Sequence, residues 1–82
     1  MEDEIKLLED LKKGDRDAYK MFFDTYNKDM MLLAYLLLRD RAKAYTLVYE
    51  LFEKLYQTQE VNKITLPIQA HLNAKVREKC GF

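Results

Sequence analysis

Apolar residues recur along most of this chain at steps of three and four, and no strand is expected. That period belongs to amphipathic helices, not to strands. Ile5, Leu8 and Leu11 define the inner face of a first helix over about Glu2 to Lys13. Acids crowd its start and Lys12-Lys13 its end, which complements the helix dipole, and Gly14 follows as a stop. Asp15 or Asp17 can cap a second helix, about Arg16 to Leu38, whose stripe is Tyr19, Phe22/Phe23, Tyr26, Met30, Leu33 and Leu37. Its later half, Met30 to Leu38, is apolar almost all round, which suits the centre of a small bundle, a partner or dimer contact, or a membrane surface. Arg39-Asp40-Arg41 reads as a polar turn.

A third helix, about Ala42 to Gln57, turns Ala44, Leu47/Val48, Leu51/Phe52 and Leu55 inward. Tyr45, Tyr49, Glu53 and Tyr56 fall mainly outward. Exposed tyrosines four apart form an amphipathic strip that suits contact with another protein; the alternative is that they lie flat over neighbouring helices. Thr58 to Leu66 is the longest break, and Pro67 suits the first turn of a last helix whose buried side is Ile68, Leu72, Val76 and Cys80. Lys75 and Lys79, with Arg77 nearby, are expected on the opposite side. The expected class is all-α, one four-helix domain spanning residues 1–82.

Composition narrows the function. The only cysteine, Cys80, cannot close an internal disulfide, and no Cys/His set suits a structural metal. The acidic start Met1-Glu2-Asp3-Glu4 is the opposite of a signal peptide, and Met30–Leu38 is far short of the roughly 20 residues a bilayer span needs. A cytoplasmic setting without membrane insertion is the expectation. The single histidine, His71, has no nucleophile at a recognisable spacing, and Glu50 and Glu53 lack the histidines of a di-metal bundle. With no calcium loop and no Gly-rich phosphate loop either, no catalytic residue, metal or cofactor is expected.

Fourteen bases balance fourteen acids, which at first offers no case for nucleic acid. Position changes that reading. Residues 1–30 hold nine acids against six bases, whereas residues 61–82 hold Lys63, Lys75, Arg77 and Lys79 against Glu78 alone. The chain has an acidic front and a basic tail.

The order of residues adds a resemblance. Leu11-Lys12-Lys13-Gly14-Asp15, then Ala18-Tyr19, Phe22/Phe23 and Tyr26, resembles the opening of region 2 in extracytoplasmic-function sigma factors of bacterial RNA polymerase. Arg39-Asp40-Arg41 and Ala44 stand where that family has its Asp-rich turn and alanine. Leu47-Val48, Glu50, Phe52 and Leu55-Tyr56 match its next helix. Ala70, Leu72, Val76-Arg77 and Lys79-Cys80 look like the closing steps of the ferric-citrate-type subclass. In register, these clusters cover residues 7 to 80.

The resemblance implies a compact four-helix region 2 bundle, with no region 4 domain within the chain. It also implies that the third helix docks on the clamp coiled coil of the largest subunit of core RNA polymerase. The residues at that dock would be Tyr45, Thr46, Leu47, Val48, Tyr49, Glu50, Glu53 and Lys54. The following loop and last helix would meet the melted promoter −10 element through Asn62, Lys63, His71, Lys75, Arg77 and Lys79, with Gln57 and Gln59 as further hydrogen-bonding groups of the loop. Binding of DNA by the domain alone is expected to be weak, and an anti-sigma factor or a second copy would be further partners. The chain departs from the family pattern at Tyr45, Thr46 and Tyr49, where acids and a glutamine are usual, and at His71 and Glu78. Those changes make the dock more apolar and set a carboxylate toward phosphate. They favour an alternative, a sigma-like interaction module that keeps the fold and a protein-binding face without melting promoters.

Overall fold

The computed structural model describes residues 2–57 and 60–81. Helix α1 (Glu2–Lys12) is short, and only its apolar side gives it reason to stay folded. That side is Leu7, Leu8 and Leu11; Ile5, expected inside, is exposed instead. Leu7 takes its place in the buried set, because contacts of α1 with α2 and the turn before α4 cover that side of the helix. Gly14 ends the helix at φ +80, a conformation that favours glycine. Asp15 then caps α2 (Arg16–Leu38), its carboxylate accepting from the N–H groups of Asp17 at 2.8 Å and Ala18 at 3.2 Å.

Helix α2 is the spine, packing against α1, α3 (Arg41–Gln57) and α4 (Ile68–Cys80). Ala18, Phe22, Met30 and Ala34 are its buried line, flanked by the half-buried Tyr19, Phe23, Tyr26, Leu33 and Leu37. The apolar half of α2 is divided: Met30 and Ala34 are wholly buried, while Leu32 and Leu36 are 58% and 50% exposed. Arg39 closes α2 in the left-handed region at φ 58, and Asp40 caps α3 by accepting from the Lys43 N–H at 3.0 Å.

Phe22 and Phe52 meet edge to face at 5.2 Å, and Phe23 and Phe52 at 4.9 Å, joining α2 to α3 in an aromatic centre. Val48, Leu51 and Leu55 complete the inner side of α3. Within the expected break, Glu60–Lys63 forms a 3-10 turn that buries Val61, and Ile64 after it is buried as well. Their three-residue step matches a 3-10 turn and seats the connection on α1 and α3. Thr58 and Gln59 lie outside the described residues.

Pro67 stands one position earlier than expected, immediately before α4 at its cap, after a cis Leu66–Pro67 peptide. Proline has no capping side chain. The N–H of Ile68 donates instead to the Glu4 carboxylate of α1, at 2.5 Å. Ile68, Leu72 and Val76 are fully buried, Cys80 partly, and Gly81 closes the helix at φ +87. The architecture is all-α, with no strand among the described residues.

Candidate partner-docking and polyanion faces

The inner stripe of α3 fixes what its other sides present. Rotating about 100° per residue, Val48, Leu51, Phe52 and Leu55 point into the core, so Thr46, Glu50, Glu53 and Gln57 point away from it. Glu53 accepts a hydrogen bond from the Gln57 amide at 3.2 Å. Lys54 and the half-buried Leu47 form one shoulder, beside an open groove of about 780 Å³ that reaches Leu38 on α2 and Lys79 on α4.

The other shoulder, toward α2, is aromatic. Tyr45 and Tyr49 stack at 6.0 Å with an interplanar angle of 16°. Tyr56 packs edge to face on Tyr19 at 4.5 Å, and Tyr49 reaches Phe23. Tyr45, Tyr49 and Tyr56 are 55%, 50% and 49% exposed, so they neither vanish into the core nor stand free of it. Burial, and then the neighbouring Tyr56, push the Tyr19 phenol above its ordinary pKa; its hydroxyl donates to the Leu55 carbonyl at 3.5 Å.

The expected docking residues therefore divide. Tyr45 and Tyr49 lie on the aromatic shoulder, Thr46, Glu50 and Glu53 on the outermost face, and Leu47 and Lys54 on the far shoulder. Val48 is 0% exposed and cannot touch a partner. Its place on the buried arc makes it the residue that holds α3 in position.

The basic set is dispersed more widely than the sequence suggested. Asn62 and Lys63 are exposed on the 3-10 turn that precedes α4 in the chain, and Lys79 lies near the helix's far end, about 17 Å along from its start. Lys75 is partly covered and sits 3.8 Å from the Glu78 carboxylate. Arg77 is two residues from Lys75 and so about 160° around the axis. Lys75 and Lys79 thus share one shoulder of α4, and Arg77 stands on the other. Their expected grouping on one side is corrected by this rotation.

His71 is half-buried. One ring nitrogen, Nδ1, lies 3.4 Å from the Thr65 hydroxyl, while Nε2 is buried with no hydrogen-bond partner among the described residues. Burial, and then the charge of Lys75, hold its pKa below the usual 6.5, which keeps the ring neutral and weakens it as a phosphate ligand. Burial raises the Cys80 thiol. No group of His, Cys, Asp and Glu among the described residues could hold a metal ion, and no helix is long and apolar enough to cross a membrane.

Sequence reasoning missed two features. The Glu4 cap joins residues 64 apart, and only the three-residue step of Val61 and Ile64 hinted at the turn that brings them together. The split of α3 into two shoulders was partly visible in its tyrosine spacing. Comparison with known protein families, with curated proteins and with solved structures gives no match to this chain.

Proposed function

We propose that this chain is a sigma factor region 2-like domain, which binds core RNA polymerase through α3 and contributes to recognition of the promoter −10 element. The observation that carries the reading is the exposed arc Thr46, Glu50 and Glu53 beside an open groove, on the helix that the family resemblance assigns to docking. An exposed carboxylate at Glu50, opposite the buried stripe of α3, suits a basic or mixed helical partner. The domain acts by binding. The basic residues of the last loop and helix add a salt-sensitive attraction for single-stranded DNA, since each neutralised phosphate releases a counterion.

A second reading is a sigma-like interaction module that docks but does not melt promoters. The dispersal of Lys63, Lys75, Arg77 and Lys79 and the neutral, half-buried His71 favour it. So does the replacement of charge by tyrosine at the dock.

Co-purification of the chain with core polymerase at low salt tests the first reading. Glu50→Ala should weaken capture by about three- to tenfold, the range of a partly exposed charged contact. Leu55→Arg is no probe of docking, because Leu55 is 1% exposed and its replacement would disrupt the core. Absence of any polymerase binding would sink both docking roles. Where polymerase binds, permanganate footprinting of a −10 duplex separates the readings, since a docking-only module leaves every thymine unreactive.

A further inference from the structure

Three exposed residues, Thr65, Leu66 and Pro67, cross from the 3-10 turn to α4 between two buried anchors, Ile64 and Ile68. Leu66, the large apolar side chain of the crossing, is 45% exposed, so polar contacts hold this segment down. The Ile68 N–H donates to Glu4 of α1, and the His71 N–H to the Pro67 carbonyl at 3.3 Å. The His71 ring supplies a third tie, with Nδ1 3.4 Å from the Thr65 hydroxyl.

That third tie depends on where the ring holds its proton. A neutral imidazole has one N–H and one bare nitrogen. Nε2 is buried with no partner among the described residues, and a buried N–H without an acceptor is costly. The hydrogen-bond pattern therefore assigns the proton to Nδ1, where the Thr65 oxygen accepts it. Acid must add its proton at Nε2, which sets a charged donor where no described residue accepts.

The surrounding charges do not relieve this. Lys75, one turn on, repels the cation, and burial and then that repulsion hold the ring's pKa below 6.5. Glu4 of α1 is engaged by the Ile68 N–H, and Tyr26 of α2 is a neutral phenol, raised by burial and then by Glu4. Glu60 and Lys63 on the turn offset one another, and the inner side of α3 is apolar.

We propose that His71 is a pH-sensitive latch: its neutral ring pins Thr65 and holds the crossing on α4, and its protonated ring turns to solvent and releases Thr65 to Pro67 while α2 and α3 stay packed. Release loosens the turn that carries Asn62 and Lys63 without unfolding the bundle. The latch does not depend on the polymerase reading, because its test contains this chain alone.

Native-state hydrogen exchange of the full chain in low denaturant tests it, from about pH 7.5 to about 5.5, above the ordinary carboxylate range. After correction for intrinsic rates, the amide of residue 71 should open locally and without response to denaturant. That opening should be up to about tenfold more frequent at the lower pH, because the released ring regains its ordinary proton affinity. Amides of Phe22 and Phe52 should exchange only through a denaturant-sensitive opening. His71→Gln should abolish the pH response of the local opening, and Thr65→Val should make it about two- to tenfold more frequent at pH 7.5. An amide at residue 71 that opens only together with Phe22 and Phe52 overturns the proposal. So does a pH response that survives His71→Gln, or slower exchange in acid, as capture of the charged ring by Glu4 would give.

Discussion

Helices α3 and α4 bury the same kind of stripe and both turn charges outward, but only α3 turns aromatic rings outward. Val48, Leu51 and Leu55 on α3 correspond to Ile68, Leu72 and Val76 on α4, and all are nearly inaccessible. Outside, α3 offers three half-exposed tyrosines beside a polar arc, whereas α4 exposes Ala70, Ala74, Arg77, Glu78 and Lys79. Rings with polar tips bring contact area at little entropic cost, which is what a protein partner rewards. Small residues among dispersed charges give little area, and suit a loosely held polyanion. The inner stripes make the bundle; the outer faces separate a candidate protein-binding helix from a candidate DNA-facing one.

The shared core is the first place to break that comparison. Phe22→Ala empties the aromatic centre that positions both faces, and should cost about 3–5 kcal/mol in denaturant unfolding. The ends of the helices are the next. Helix α2 carries its own cap in Asp15, but α4 borrows Glu4 from α1. Glu4→Ala should lower stability by about 1 kcal/mol and speed hydrogen exchange at the start of α4 more than elsewhere. An unchanged exchange pattern would remove the cap from the account.

Near neutral pH the shifted group is His71 on α4. His71 has a folded pKa below its ordinary 6.5, so below that pH the unfolded chain takes up a proton first. Stability should therefore fall as pH drops through 6.5 toward the lower folded value, and be unaffected by this group above that window. Thermal melts across the range check the slope, and His71→Gln should flatten it. The smallest stability effect is expected on the aromatic shoulder. Tyr45→Ser changes an exposed residue and should alter unfolding by under about 0.5 kcal/mol, so that any loss of partner binding reports the contact itself.

Much of this was legible in the chain. Periodicity gave α2 from Arg16 to Leu38 without error, because its stripe is long, its cap is local and its end is polar. The outward tyrosines of α3 were legible for the same reason. Ile5 is expected inside because it steps evenly with Leu8 and Leu11, but the tertiary contacts of α1 bury Leu7 and leave Ile5 exposed. Leu32 and Leu36 were ambiguous because an all-apolar segment has no pattern to show which side is covered. The basic set looked like one patch because sequence proximity hides rotation, and two residues carry Arg77 to the far side of α4 from Lys75. Glu4's role lay beyond local reading altogether, since the group it caps is 64 positions away.

The division of labour between the two faces can be tested in one experiment. Amide chemical-shift mapping of the chain, titrated with the clamp coiled coil of core RNA polymerase, should move resonances on Tyr45, Thr46, Glu50, Glu53 and Lys54 of α3, with Lys79 at the rim of the same groove, and leave Ala70 to Val76 of α4 in place. Shifts centred on α4, or none at saturating coiled coil, would contradict the account.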